Sequence, residues 1–356
     1  MKIHIITNSF SNKLGGAEKL INLIHSNLKK NNIDSHVLAL LKVDGNKSIT
    51  KKSLGVNTPY DFRILFYLKS YIQNNVSNDD IIHAHLFPTN LYCAILKKIG
   101  YLNSILITTE HSTYNRRRKI FFGKYLDNFI YKTYDHIIAV SEGVKITLKA
   151  WQPQINNRIT VIHNGCQLQY NHPILRHKKN NIIIISIGQL LKHKNYHIAL
   201  ESLALIKNHN FKWLIAGDGP LKKQLINKRD RLGLKNRVEF LGQIDNIAPL
   251  LEKGDIFLMP SLWEGFGLAA VEAMNASLPL VASNIYGLKE IIETTPPCAL
   301  LIDPNEPQLI SQNINKLMKS HKLRVNLGLN GFKHSKKFKI DTMVKNHINL
   351  YKKLSI

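Results

Sequence analysis

At 356 residues, 44% of them hydrophobic, the chain is long enough to build two ordinary hydrophobic cores. Its 21% charged content and lack of long polar tracts exclude a disordered protein. The formal net charge of +25 calls for an anionic partner, which leaves nucleic acid, an acidic lipid surface or a phosphate-bearing substrate.

The opening MKIHIITNSF has one Lys and an apolar run that breaks at Asn8, with no cleavage site behind it. It reads as a first strand, Lys2–Thr7, rather than a secretory leader. No apolar stretch reaches the roughly 18 residues that cross a bilayer. A cytoplasmic chain is therefore expected, and its widely spaced Cys93, Cys166 and Cys298 read as free thiols.

Gly15-Gly16-Ala17-Glu18 then opens a helix, Ala17–Lys30, in which Leu20, Ile21, Ile24 and Leu28 recur at helical spacing. A Gly-Gly pair without the dinucleotide-binding Gly-x-Gly-x-x-Gly pattern reads as a turn, and Glu18 as the capping residue. Further strands are expected at Val37–Leu41, Ile81–His83, Ile105–Thr109, His136–Val140 and Ile159–Ile162. The first of two conspicuous features here is His83-Ala84-His85, which puts two potential metal ligands on one side of a strand, without an evident third. The second is Arg116-Arg117-Arg118-Lys119, followed by Ile120-Phe121-Phe122 and Tyr125. This run fits either an anionic membrane surface or a solvated Arg cluster ahead of an ordinary buried helix. Nucleic acid is disfavoured, because no recognisable binding module accompanies the charge.

A polar stretch, Gln167–Asn180, separates this series from a second one and marks the domain boundary: 1–168, then 169–340. The strands of the second series are Ile182–Ile187, Lys212–Ala216, Val238–Leu241, Ile256–Met259, Leu280–Ala282 and Ala299–Ile302. Such alternation is the signature of βα units and a parallel sheet, so two α/β domains in tandem are expected. The last helix, 341–356, either closes the second domain or crosses back to the first.

The most informative segment is Pro260-Ser261-Leu262-Trp263-Glu264-Gly265-Phe266-Gly267-Leu268, with Glu272 in the helix that follows. A strand end, a glycine-containing loop and a helix start make a place for phosphate. Two carboxylates beside it suit paired sugar hydroxyls better than a metal.

This Glu-x7-Glu segment resembles the signature of the retaining glycosyltransferases of family 4. Asp255–Ser261, Ala276–Ser283, Gly287 with Glu290, Ala216–Pro220 and Val238–Gly242 resemble the same family. The resemblance implies a GT-B fold, two Rossmann-like domains with a cleft between them, and transfer of a hexose or N-acetylhexosamine from a nucleoside diphosphate sugar. It further implies a glycan or lipid-linked acceptor in bacterial surface polysaccharide or lipopolysaccharide synthesis. By the same resemblance Glu264 holds the transferred sugar and Glu272 the ribose, while Gly265, Phe266, Gly267 and Leu268 line the donor. His111 contacts the transferred sugar, although Ser112 stands where the family has Asp. Gly15 and Gly16 approach the donor phosphate, and His83 and His85 border the acceptor. The family's Gly-Arg-Leu-x3-Lys segment reads Gly188-Gln189-Leu190-Leu191-Lys192-His193-Lys194 here, which keeps Lys194 but replaces the Arg with Gln189. No Asp-x-Asp occurs, so neither metal nor cofactor is expected, the nucleotide-sugar being a co-substrate. A non-catalytic GT-B partner subunit and a nucleotide-sugar epimerase are the rival readings.

Overall fold

The computed structural model describes residues 1–10, 15–42, 50–207 and 209–355. It divides the chain into two compact units, Met1–Gly165 with Ile340–Ile356, and Cys166–Lys339. Each is a parallel sheet flanked by helices, so the expected pair of Rossmann-like α/β domains is present.

In the first unit the strands are β1 (Ile3–Thr7), β2 (Ser35–Leu41), β3 (Lys51–Val56), β4 (Ile81–His85), β5 (Ile105–Glu110), β6 (His136–Ala139) and β7 (Ile159–Val161). Their order across the sheet is β3-β2-β1-β4-β5-β6-β7, all parallel. β1 and β4 are buried along their whole length, which is why both read as unbroken apolar or neutral runs. β3 has no such signature. It lies at the sheet edge and reads Lys-Lys-Ser-Leu-Gly-Val, where edge lysines discourage pairing with another chain.

The helix Gly16–Lys30 buries Leu20, Ile21, Ile24 and Leu28 against β1 and β2. Into the same core the C-terminal helix Ile340–Leu354 inserts Met343, Val344, Leu350 and Tyr351, so the end of the chain completes the first unit.

The second unit has β8 (Ile182–Ile187), β9 (Phe211–Ala216), β10 (Val238–Gly242), β11 (Ile256–Met259), β12 (Leu280–Ser283) and β13 (Ala299–Ile302), in the order β10-β9-β8-β11-β12-β13. Trp213 is wholly buried at its centre and donates through Nε1 to Ser186 Oγ at 2.9 Å. The stretch Gln167–Asn180 belongs to this unit and is fastened to it. Asn275 Oδ1 accepts the amides of Gln169 and Tyr170, Ser277 Oγ accepts that of Ile174, and Arg176 donates to the carbonyls of Leu251, Glu252, Gly254 and Ala276. Asn275 and Ser277 thereby supply partners for backbone that lies in neither sheet nor helix.

Strand order reverses between β1 and β4 in one sheet and between β8 and β11 in the other. Ligands of open α/β sheets bind beyond the carboxyl ends of the strands at such points.

Candidate functional site

In the second unit the chain leaving β8 and the chain leaving β11 bring two opposite charges together. Lys194 closes a short 3-10 turn, Lys192–Lys194, and Glu264 lies in the loop between β11 and the helix Leu268–Asn275. Lys194 Nζ donates to Glu264 Oε1 at 2.6 Å, and Ser261 Oγ donates to the same oxygen at 2.7 Å. With side chains only 16% and 11% exposed, the pair is largely withdrawn from water, where a charge-assisted bond is stronger than at a surface. Lys194 and Glu264 lie in separate segments of the sequence, and their direct bond and Ser261's part in it depend on loop geometry.

Two glycines shape this loop. Gly267 has φ +89° as the residue preceding the helix, and a side chain there would stand 2.7 Å from Leu288 Cδ1. Gly287 has φ +81°, and a Cβ would come within 2.4 Å of the Glu264 carbonyl oxygen. The segment after β12 therefore lies directly on the backbone of Glu264 and Gly265, an approach only glycine permits. Phe266 is buried and meets Phe338 edge-on at 5.5 Å, so it offers a ligand its backbone rather than its ring. Leu268 is half-buried at the helix start, and Glu272 is half-buried one turn further on. Burial and the charge of Glu272 push the Cys166 thiol up to about 12, which leaves it unreactive.

Gln189 is exposed, and its side chain has no hydrogen bond among the described residues. Nor does His193 supply the missing charge: burial, and then neighbouring Lys194, lower its pKa, and its ring stacks on Trp263 at 5.4 Å. Lys194 is accordingly the cation held in place at this strand end, with exposed Lys192 beside it.

In the first unit Gly15 and Gly16 open the helix after β1. The Glu18 carboxylate reaches back to the Gly15 amide, as a capping residue at the third helical position does. His111 is half-buried just past the end of β5, and its Nε2 lies 3.0 Å from His85 Nδ1. His83 and His85, expected at an acceptor surface, are instead wholly buried. His83 has both ring nitrogens engaged, Nδ1 with the Tyr351 hydroxyl at 2.8 Å and Nε2 with Thr109 Oγ1 at 2.7 Å. The correction follows from the C-terminal helix, which lays His347 and Tyr351 over them. Nothing local in the His-x-His segment announces a cover from 268 residues away. Among the described residues no three His, Cys, Asp or Glu side chains converge as a metal site.

The basic run also divides. Arg117 turns inward to the buried Asp127, with Nε to Oδ1 at 2.5 Å, and its guanidinium lies 4.4 Å from the Phe87 ring centre. Arg118 donates to the Thr113 carbonyl at 2.8 Å. Arg116 and Lys119 remain exposed, with Ile120, Phe121, Phe122 and Tyr125 at 59%, 84%, 68% and 72% exposure. Arg117 and Arg118 thus have partners within the protein, and exposed aromatic residues flank Arg116 and Lys119 on the surface. No helix among the described residues is long and apolar enough to cross a membrane.

Comparison with known proteins identifies the family. Residues 169–334 match the family described as Glycosyl transferases group 1, and residues 14–170 match Glycosyltransferase Family 4. An uncharacterized glycosyltransferase of Methanocaldococcus jannaschii is 31% identical over 78% of this chain and 76% of its own length. An Escherichia coli UDP-Gal:α-D-GlcNAc-diphosphoundecaprenol α-1,3-galactosyltransferase is 30% identical over 58% of each chain. A Campylobacter jejuni α-1,4-N-acetyl-D-galactosaminyltransferase named for an undecaprenol-linked glycan is 25% identical over 96% of this chain and 95% of its own. Among solved structures, the Thermosynechococcus elongatus sucrose-phosphate synthase superposes with TM-score 0.85 at 17% identity, covering 99% of both chains. Anabaena HepE in complex with UDP-glucose gives 0.81 at 20% identity, covering 99% of this chain and 100% of that one. The fold is GT-B, and the chain belongs to the family 4, group 1 glycosyltransferases.

Proposed function

We propose that the enzyme is a metal-independent, retaining transferase that moves a hexose or N-acetylhexosamine from a UDP-sugar to a lipid-linked or glycan acceptor in bacterial surface polysaccharide synthesis. The observation that carries this reading is the Lys194–Glu264 pair at the β8/β11 strand ends. Glu264 receives hydroxyls of the transferred sugar, Glu272 the ribose, and Lys194 the diphosphate, beside the amides from Gly265 to Leu268. For the first unit the same reading gives Gly15 and Gly16 to phosphate and His111 to the sugar. Relatives named for undecaprenol-linked acceptors and a fold neighbour holding UDP-glucose support the substrate classes.

In front-face displacement the departing diphosphate takes the acceptor's proton. The protein then supplies positioning and electrostatics, and no carboxylate base is needed. The test is a panel of UDP-, GDP- and ADP-sugars with and without an undecaprenyl-diphosphate-linked acceptor. Acceptor-dependent release of UDP with an α-linked product is expected. Conversion of donor without acceptor would mean an epimerase, and binding without turnover a non-catalytic subunit.

The reading extends to an anionic bilayer as the surface on which the first unit works at the inner face of the cytoplasmic membrane. Arg116, Lys119 and exposed Lys124 supply charge, and Phe121, Phe122 and Tyr125 supply rings for the interface. Exposed Tyr60, Phe62 and Phe66 extend the apolar surface, with Tyr60 6.4 Å from Phe87, which in turn meets Arg117. Each basic group near such a surface contributes about 1 kcal/mol, so Arg116→Ser with Lys119→Ser should weaken binding to phosphatidylserine vesicles by roughly tenfold or more. Co-sedimentation measures this; unchanged binding would remove the membrane from the proposal.

A further inference from the structure

Strand alternation puts His83 and His85 on one face of β4, and parallel register sets His85 beside Thr109 of β5, with His111 two residues on. The C-terminal helix covers this face with His347 and Tyr351. Four imidazoles result, with ring centres 4.0 Å apart for His83 and His85, 5.3 Å for His85 and His111, and 6.0 Å for His83 and His347.

Within the group the contact between His85 Nδ1 and His111 Nε2, at 3.0 Å, has one proton to share. If His111 gave it, neutral His85 would carry its own proton on Nε2. That atom is fully buried and has no hydrogen-bond partner among the described residues. His347 does not help: its Nδ1 must donate to the Met343 carbonyl at 2.9 Å, which leaves a bare Nε2 that is likewise unpartnered and makes no bond to His85. If His85 gives the proton instead, its Nε2 is only a bare lone pair. An orphaned buried N–H is rarer in native structures than an under-satisfied acceptor, and costs the desolvation of a donor. A second proton would put a charge among buried, mutually repelling imidazoles.

We propose that His85 is a positioning residue that donates from Nδ1 to His111 Nε2 and so fixes His111 as the Nδ1–H tautomer, a neutral hydrogen-bond donor and not a base. The inference rests on the assignment of His111 to the transferred sugar only for its consequence in catalysis. There His111 Nδ1, which has no partner among the described residues, gives a hydrogen bond to a sugar or phosphate oxygen. The proton balance of the transfer then passes through the leaving diphosphate alone. His83, Thr109 and Tyr351 hold the neighbouring ring in turn, which keeps the His85 plane from rotating.

The test reads the tautomer itself on the resting protein. Histidine-labelled protein is examined by two-bond ¹H–¹⁵N correlation at pH 7.5, with His111 assigned by His111→Gln. His111 should show a protonated Nδ1 and a bare Nε2. In His85→Leu it should return to the Nε2–H form that free imidazole favours. In His85→Asn, whose amide N–H replaces the donor, the wild-type tautomer should persist. A wild-type His111 protonated on Nε2, or a tautomer indifferent to His85→Leu, overturns the inference, whether or not the enzyme turns over any donor tested. On an active donor, His85→Leu should lower kcat by roughly ten- to a hundredfold with KM little changed, the cost of a misplaced contact. His85→Asn should stay within about threefold of wild type, retaining the bond. Equal losses in both variants would mean mere packing and would also overturn the assignment.

Discussion

Lys194→Met should lower kcat/KM for the nucleotide-sugar by roughly 10²–10³-fold, with most of the loss in kcat, because removing one preorganised charged donor from a transition state costs that much. The expectation is at the upper end for a specific reason. The family's neighbouring Arg is Gln189 here, which donates hydrogen bonds but carries no charge, and His193 is kept neutral by burial. On the proposed reading, negative charge developing on a leaving diphosphate therefore falls to Lys194. Gln189→Arg should partly restore a Lys194→Met enzyme, whereas Gln189→Ala in the wild type should change kcat only a few-fold.

Glu264→Gln keeps the volume and an acceptor for Ser261 but removes the charge that Lys194 meets at 2.6 Å. It should also lower kcat/KM by about 10²-fold. Because the two residues share one bond, the double variant should lose much less than the product of the single losses. Steady-state release of nucleotide measures all of this. Wild-type kcat/KM in Lys194→Met, or strictly multiplicative losses in the double variant, would remove the pair from the catalytic site.

Most of the scaffold beneath this pair is legible from residue patterns. β8 and β11 lie where their apolar runs begin and end, since central parallel strands are buried on both faces and must be continuous. β3 is silent because an edge strand is specified by its partner and protected by its lysines. Glu264 stands out through its place between a strand end and a helix start, and Lys194 only through resemblance to a family segment; the geometry between them does not stand out at all. It comes from two loops, with Gly287 pressed onto the Glu264 backbone from a third. Arg117 looks like its neighbours in sequence, and only the fold reveals that Asp127 claims it. The histidines show the same limit. Alternation along β4 places His83 and His85 on one face, but their burial is decided by a helix at the other end of the chain.

That buried group carries a second large effect, which appears on acidification. Burial, opposed by a backbone bond to Met343, lowers the His347 pKa from 6.5 to about 4. Burial, and then nearby Lys51 and Lys29, do the same to His25, which is 3% exposed and bonded to Ser35 Oγ. His83 and His85 are shifted in the same direction by burial and by neighbouring imidazoles. A histidine whose folded pKa lies below its unfolded value binds fewer protons when folded, so stability rises with pH across the interval between the two. It is undiminished above about 6.5 and is lost as pH falls towards 4. For a group moved from 6.5 to about 4 the loss reaches about 3 kcal/mol, and two such groups rival a domain's whole stability of about 5–15 kcal/mol. The first unit should therefore melt progressively earlier from pH 6.5 downwards and be unfolded by about pH 4, its C-terminal helix leaving with the core it covers. His347→Leu removes one titrating group and keeps an apolar side chain against His83 and Tyr351, so its Tm should fall less steeply over that interval. Calorimetric scans of both proteins between pH 8 and 4 decide the matter; parallel Tm curves would show that these imidazoles do not set the acid limit.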